Sequence, residues 1–184
     1  VLYPAEPLNP LPDPDGAIRD ALLNPLEDDP LPSKLFAGMK LTIVFDDVSL
    51  PLPQMRRPDI RQRIIEQVLD MAAEANVDDV HLIAALALPR RLTEDELRHA
   101  VGDRVYDAFA PSGLLYNMDA EDPDEMVMLG ETSEGEEVQM VRRAAESDLI
   151  VYVNINMVSM NGGWKSTATG LSGYKGIRHH HNVD

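Results

Sequence analysis

Three uniformly apolar runs of strand length, spaced by segments of helical period, constrain this chain more than any other feature. They are "KLTIVF" (40–45), "DVHLIAAL" (79–86) and "DLIVYVNI" (148–155). Runs without polar alternation belong to strands covered on both faces. Between the first two lies "PDIRQRIIEQVLDMAAEAN" (58–76). Pro58 suits a first helical turn. Ile60, Ile64, Val68 and Met71 recur at helical spacing, and Ile65, Leu69 and Ala72 widen the stripe. "TEDELRHAV" (93–101) predicts a short helix, with Thr93 and Glu96 in a capping-box pattern. "EMVMLG" and "EEVQMV" predict a hairpin, and "RRAAES" a helical turn. The alternation predicts an α/β fold: a Rossmann-like parallel sheet with flanking helices and one hairpin excursion.

Residues 1–37 differ from the rest. Eight of the 14 prolines lie between Pro4 and Pro32, among acidic residues. This predicts a Pro-rich acidic arm with one short helix near Gly16–Leu23. Its recurring Leu2, Leu8, Leu11, Ile18, Leu22, Leu26 and Leu31 suit an arm lying on a surface, its own or a partner's. The remaining residues, 38–184, form the α/β domain. A formal charge of −16 argues against nucleic acid and anionic membranes as partners. The chain has no cysteine, so disulfides, Cys-ligated zinc and thiol nucleophiles are excluded, in keeping with a cytoplasmic setting.

Ligands of parallel sheets bind at the carboxyl ends of the strands. That rule selects the loops 46–53, 87–92 and 156–165. In the first, Asp46 and Asp47 can accept ribose hydroxyls or hold a cation, or form a solvated acidic turn in which Ser49 bonds local backbone. In the second, Arg90 and Arg91 precede a helix start, where they can attract an anion or pair with Glu94 or Asp95. In the third, "NGGWKST" suggests a phosphate loop. It fails the pattern, because Trp164 stands where glycine must precede the lysine, and Ile155 and Asn156 replace the first glycine. Gly162 and Gly163 still allow a ligand close to the backbone, and Lys165 suits a phosphate or a covalent link to a carbonyl group. His179, His180 and His181 diverge in direction, so at most one or two can meet one metal; a solvated polar turn is the alternative. His81 and His99, inside a strand and a helix, read as structural.

Taken together, "TIVFDDVSLPLP", "IAALALPRRLTEDELRHAVG", "YNMDAEDPDEMVMLGETSEGEEVQMVRRAAESDLIVYVN" and "GGWKS" resemble one family over about residues 38–182. It is the N-terminal domain of the nickel-pincer lactate racemases and related 2-hydroxy-acid racemases and epimerases. The resemblance implies reversible hydride transfer between a 2-hydroxy acid and a nickel-pincer nucleotide, which is nickel with a pyridinium-3,5-bisthiocarboxylic acid mononucleotide. Lys165 would tether the nucleotide through a thioamide, and His181, sixteen residues on, would bind nickel. Asp47 and Ser49 would hold the nucleotide beside Gly162 and Gly163. The resemblance also implies a second domain, absent from these residues, so a further domain or partner chain is expected, with the arm a candidate to wrap it.

The chain departs from the family where the general bases belong. Pro89 occupies the first base position and Ile155, between Asn154 and Asn156, the second. Met118-Asp119 replaces a His-Asp pair, and Leu50 an arginine. Proline and isoleucine cannot exchange protons. The chain is therefore expected to be a racemase or epimerase with other proton-transfer groups, such as Tyr116 or Asp119, or a non-catalytic paralogue or subunit that keeps the fold. Arg90 could attract a substrate carboxylate or a phosphate.

Overall fold

The computed structural model describes residues 8–47, 55–156 and 162–180. Two helices, α1 (Pro14–Leu23) and α2 (Leu31–Lys34), precede β1 (Lys40–Asp46). Then come α3 (Ile60–Glu74), β2 (Asp79–Ala85), α4 (Glu94–Val101), α5 (Asp103–Phe109) and β3 (Leu115–Asn117). The hairpin β4 (Met126–Glu131) and β5 (Glu137–Val141) leads through α6 (Arg142–Ala145) to β6 (Leu149–Val153). Two helices close the described chain, α7 (Gly163–Gly170) and α8 (Tyr174–Ile177).

Four strands form one parallel sheet in the order β3-β2-β1-β6, as an α/β fold requires. Leu41 through Phe45 are all buried, so β1 is covered on both faces and its apolar run needs no alternation. Burying side chains such as Ile43, Phe45 and Leu82 contributes about 1.5–3 kcal/mol each. The fourth strand, β3, escapes the sequence pattern. Three residues are too few for a readable run, and it is completed by pairing with Leu82–Ala84.

Register divides the sheet into two faces. One carries Thr42, Val44 and Asp46 of β1, His81 of β2, Tyr116 of β3, and Tyr152 of β6. The other carries Leu41, Ile43 and Phe45. In α3 the buried stripe is Arg61, Ile65, Val68, Met71 and Ala72. It is rotated from the predicted one, leaving Ile60 and Ile64 half-buried. The helix begins at Ile60, and Pro58 lies outside it, because the Asp59 carboxylate caps the Arg61 N–H at 2.9 Å. The Thr93–Glu96 capping box forms as predicted.

The described arm lies on its own domain. Asp13 caps α1 through the Gly16 N–H, and Asp15 pairs with Arg63 of α3 at 2.6 Å. Leu22 and Leu23 pack against the core, and Leu31 and Leu35 are buried in it. The predicted hairpin pairs antiparallel with a bulge between Met128 and Gly130. It braces the segment after α7: the Ser172 hydroxyl donates to the Gln139 carbonyl at 3.0 Å, and Arg178 pairs with Glu137. No helix among the described residues is long and apolar enough to cross a membrane.

Candidate functional site

From β1 the chain builds outward through β2 to β3, then returns to the opposite side of β1 for β6. The strand order therefore reverses between β1 and β6, and the crevice beyond their carboxyl ends is where an open α/β sheet takes its ligand. Of the three predicted loops, the topology favours the first and third.

Asp46 ends β1 in this crevice. Its two carboxylate oxygens accept from the Asn154 Nδ2 amide, at 2.7 and 2.9 Å, and one of them from the Ile155 N–H at 2.5 Å. Its carbonyl accepts from Arg61 Nη1 at 2.9 Å, and Arg61 is held in a fork by the fully buried Asp59. The ends of β1 and β6 are thus fastened to each other and to the start of α3. Burial raises the Asp46 pKa; the hydrogen bonds from Ile155 and Asn154 oppose it, and the neighbouring Asp47 carboxylate adds to it.

A cleft of about 310 Å³ opens beside this clamp, lined by Tyr152, Asn154, Gly163, Trp164, Ser166 and Thr167. Tyr152 stands two residues before Asn154 on the same face of β6. Its hydroxyl rests on Gly170, where an added Cβ would come within 2.3 Å of it. Burial and the charges of Asp46 and Asp47 push the phenol well above its ordinary pKa, so it stays protonated, a hydrogen-bond donor. The Asn154 Oδ1 atom is buried and has no hydrogen-bond partner, an unpaired acceptor behind the cleft wall.

Gly162 and Gly163 shape the entry to α7. Gly162 has φ 88°, and a Cβ there would sit 2.4 Å from Asn156 Oδ1. Its N–H donates to Ser166 Oγ at 3.0 Å. Lys165 lies exposed on the first turn of α7, between the cleft-lining Trp164 and Ser166, and makes no ion pair among the described residues. Asp47 is half-buried and close enough to act on the Tyr152 phenol. Ser49 and His181, the predicted nucleotide hydroxyl and nickel ligand, lie outside the described residues. Among the described residues no three His, Cys, Asp or Glu side chains converge as a metal site.

The second loop turns its charges inward on the protein. Arg90 grips Glu96 through two bonds of 2.6 and 2.8 Å, and Arg91 meets Asp119 at 2.5 Å. Local pairing is correct, but the partners are not Glu94 and Asp95. Glu96 already faces back over the loop through its bond to the Thr93 N–H, and these bonds hold its pKa down at about 2. Pro89 is exposed, and Ile155 serves the clamp through its backbone. Tyr116 lies edge-on to His81 with ring centroids 6.0 Å apart, and burial pushes it up to about 12. Asp119 is bound to Arg91 and to the Glu121 N–H, which hold its pKa low. Neither titrates near neutrality, the range a general base needs. His99 is structural as predicted, its Nε2 2.8 Å from the Met55 carbonyl. His81 lies in the sheet with Nδ1 buried.

Sequence reasoning passed over Tyr152 and Asn154 as cleft residues, and it named Asp46 without foreseeing the clamp. Alternation within "LIVYVN" places Tyr152 and Asn154 together on one face. The surrounding apolar residues made the run look uniformly buried.

These residues suit a tethered, hydrogen-bonding ligand. Lys165 is exposed between two lining residues of the cleft, and Gly163 brings backbone to the cleft wall.

The family model described as the lactate racemase N-terminal domain matches residues 1–183, arm included. No curated protein matches the sequence. Among solved structures, the lactate racemase apoprotein from Thermoanaerobacterium thermosaccharolyticum superposes with a TM-score of 0.71 at 20% identity, covering 89% of this chain and 38% of that one. A structural-genomics protein from Thermotoga maritima gives 0.60 at 16% identity, covering 88% and 39%. The chain thus spans well under half the length of either.

Proposed function

Because the chain belongs to the lactate racemase N-terminal domain family, we propose that it carries a nickel-pincer nucleotide on Lys165 and serves racemisation or epimerisation of a small 2-hydroxy acid. The observation that carries this reading is the juxtaposition at the β1/β6 switch point. There the Asp46–Asn154 clamp and the cleft meet at one strand-end crevice, and Lys165 follows the cleft-lining Trp164 on α7.

When bound, such a group supplies a reversible hydride acceptor. Lys165 Nζ would hold it covalently, and Asp47 and Ser49 would hold its nucleotide part. The positive-φ backbone of Gly162 and Gly163 would let it approach, and His181 would ligate nickel. The Tyr152 phenol would offer a donor to polar atoms in the cleft. A second domain or partner chain would cover the crevice and exclude water, which hydride transfer requires.

One observation favours a second reading, a non-catalytic paralogue or subunit with or without the nucleotide. Pro89 and Ile155 occupy the two base positions, and Tyr116 and Asp119 are tied to other groups. Protein purified from its native cell, with any chain that accompanies it, separates the two. Chiral chromatography of a panel of 2-hydroxy acids should show interconversion of one pair of stereoisomers, abolished by Lys165→Ala. Nickel and an adduct on Lys165 without any interconversion would establish the non-catalytic reading.

A further inference from the structure

Trp164 is the only tryptophan of the chain and stands 89% exposed on the first turn of α7, as one wall of the cleft. A helix surface gains nothing in stability from such a residue, because the indole buries almost no area against its own domain. Three features surround it. Lys165 follows it directly on α7 and is exposed like it. The Asp46 carboxylate is bound to the cleft-lining Asn154 at 2.7 and 2.9 Å, and Asp47 follows it, so negative charge stands behind the cleft. The chain as a whole carries −16, which adds to that field. An electron-rich indole face beside carboxylates is a receptor for a flat organic cation, and tryptophan is the strongest aromatic partner for one.

We propose that Trp164 is the stacking platform for the pyridinium ring of the bound nucleotide, holding the cationic ring against the cleft through its indole face. The inference rests on the function proposed above. It adds a residue that replaces generic backbone approach at the glycines with specific recognition of ring charge. Among the described residues the indole is left 89% exposed, so the role can be removed without unfolding the domain.

The test uses the fluorescence of the sole tryptophan. The chloride salt of 1-methylnicotinamide presents the cationic ring alone, and nicotinamide presents the same ring without charge. The cation should quench saturably, while the neutral ring quenches only in linear, collisional fashion. Ligand-observed NMR should find the cation bound about tenfold more weakly by Trp164→Leu and at an intermediate level by Trp164→Phe, the span of a partly desolvated cation–π contact. Melting temperatures of both variants should match wild type. Linear quenching by both probes, or equal binding of the cation to wild type and Trp164→Leu, overturns the platform. Nicotinic acid mononucleotide separates this inference from the reading beneath it. Binding of the mononucleotide that ignores Trp164→Leu sinks the platform and leaves the nucleotide site. Binding of the methylated cation through Trp164 with no binding of the mononucleotide keeps the platform and removes the nucleotide reading. A variant that only weakens association with a second chain makes Trp164 an interface residue and overturns the proposal.

Discussion

The polar groups at the two ends of the sheet face are arranged in opposite ways. Near the start of β1 and β2, Arg143 donates to Thr42 Oγ1, the Leu41 carbonyl and the Asp79 carbonyl, each at 3.1 Å, and pairs with the Asp79 carboxylate at 2.8 Å. Thr42 and Ser147 share a hydrogen bond of 2.7 Å, and Ser147 donates to the Arg143 carbonyl. That network closes on itself: each of these side chains has its partner within it. At the other end, Asp46 is saturated, but Asn154 Oδ1 is not, and Tyr152 packs its hydroxyl against a glycine. A closed network stabilises one conformation. An open one keeps hydrogen-bonding capacity for a ligand and gives up some stability to do so.

Thermal and urea denaturation of variants can break this contrast. Arg143→Leu should have the largest effect, about 2–3 kcal/mol lost, because Thr42, Asp79 and two carbonyls lose their shared partner. Thr42→Val keeps the volume of a fully buried side chain and should cost about 1–2 kcal/mol, through the acceptor it removes from Arg143. A loss near zero in both would show that the closed network is not what holds β1, β2 and α6 together.

Asp46→Asn tests the open end through pH. The folded-state pKa of Asp46 is raised, so its stabilising contribution is full below the ordinary 3.8 and is lost as pH rises through the folded value. Wild-type stability relative to the Asn variant should therefore fall as pH climbs out of the acid range, then level off. A constant difference across that window would mean that the clamp cancels the cost of burial. Tyr152→Phe should have the smallest effect, within about 0.5 kcal/mol, since no intramolecular hydrogen bond is removed. A loss above about 1 kcal/mol would make the phenol a structural group.

Legibility in the sequence followed the same division. The buried strands and α3 were readable because burial imposes a period, and the Thr93–Glu96 cap because it is local. The short β3 was not, since its pairing is set by residues more than thirty positions away. The rotation of α3 was hidden because a charged Arg61 sits in its buried stripe, made tolerable by Asp59. At the site, Lys165, Gly162 and Gly163 were identified from their motif. Asn154 and Asp46 face each other across 108 positions, and only the strand order brings them together.

The most direct measurement is intact and peptide mass spectrometry with nickel analysis on the protein purified from its native cell. The account predicts an adduct of nucleotide size on the peptide containing Lys165, with stoichiometric nickel, both lost in Lys165→Ala. An unmodified Lys165 in metal-free protein from that source would contradict it.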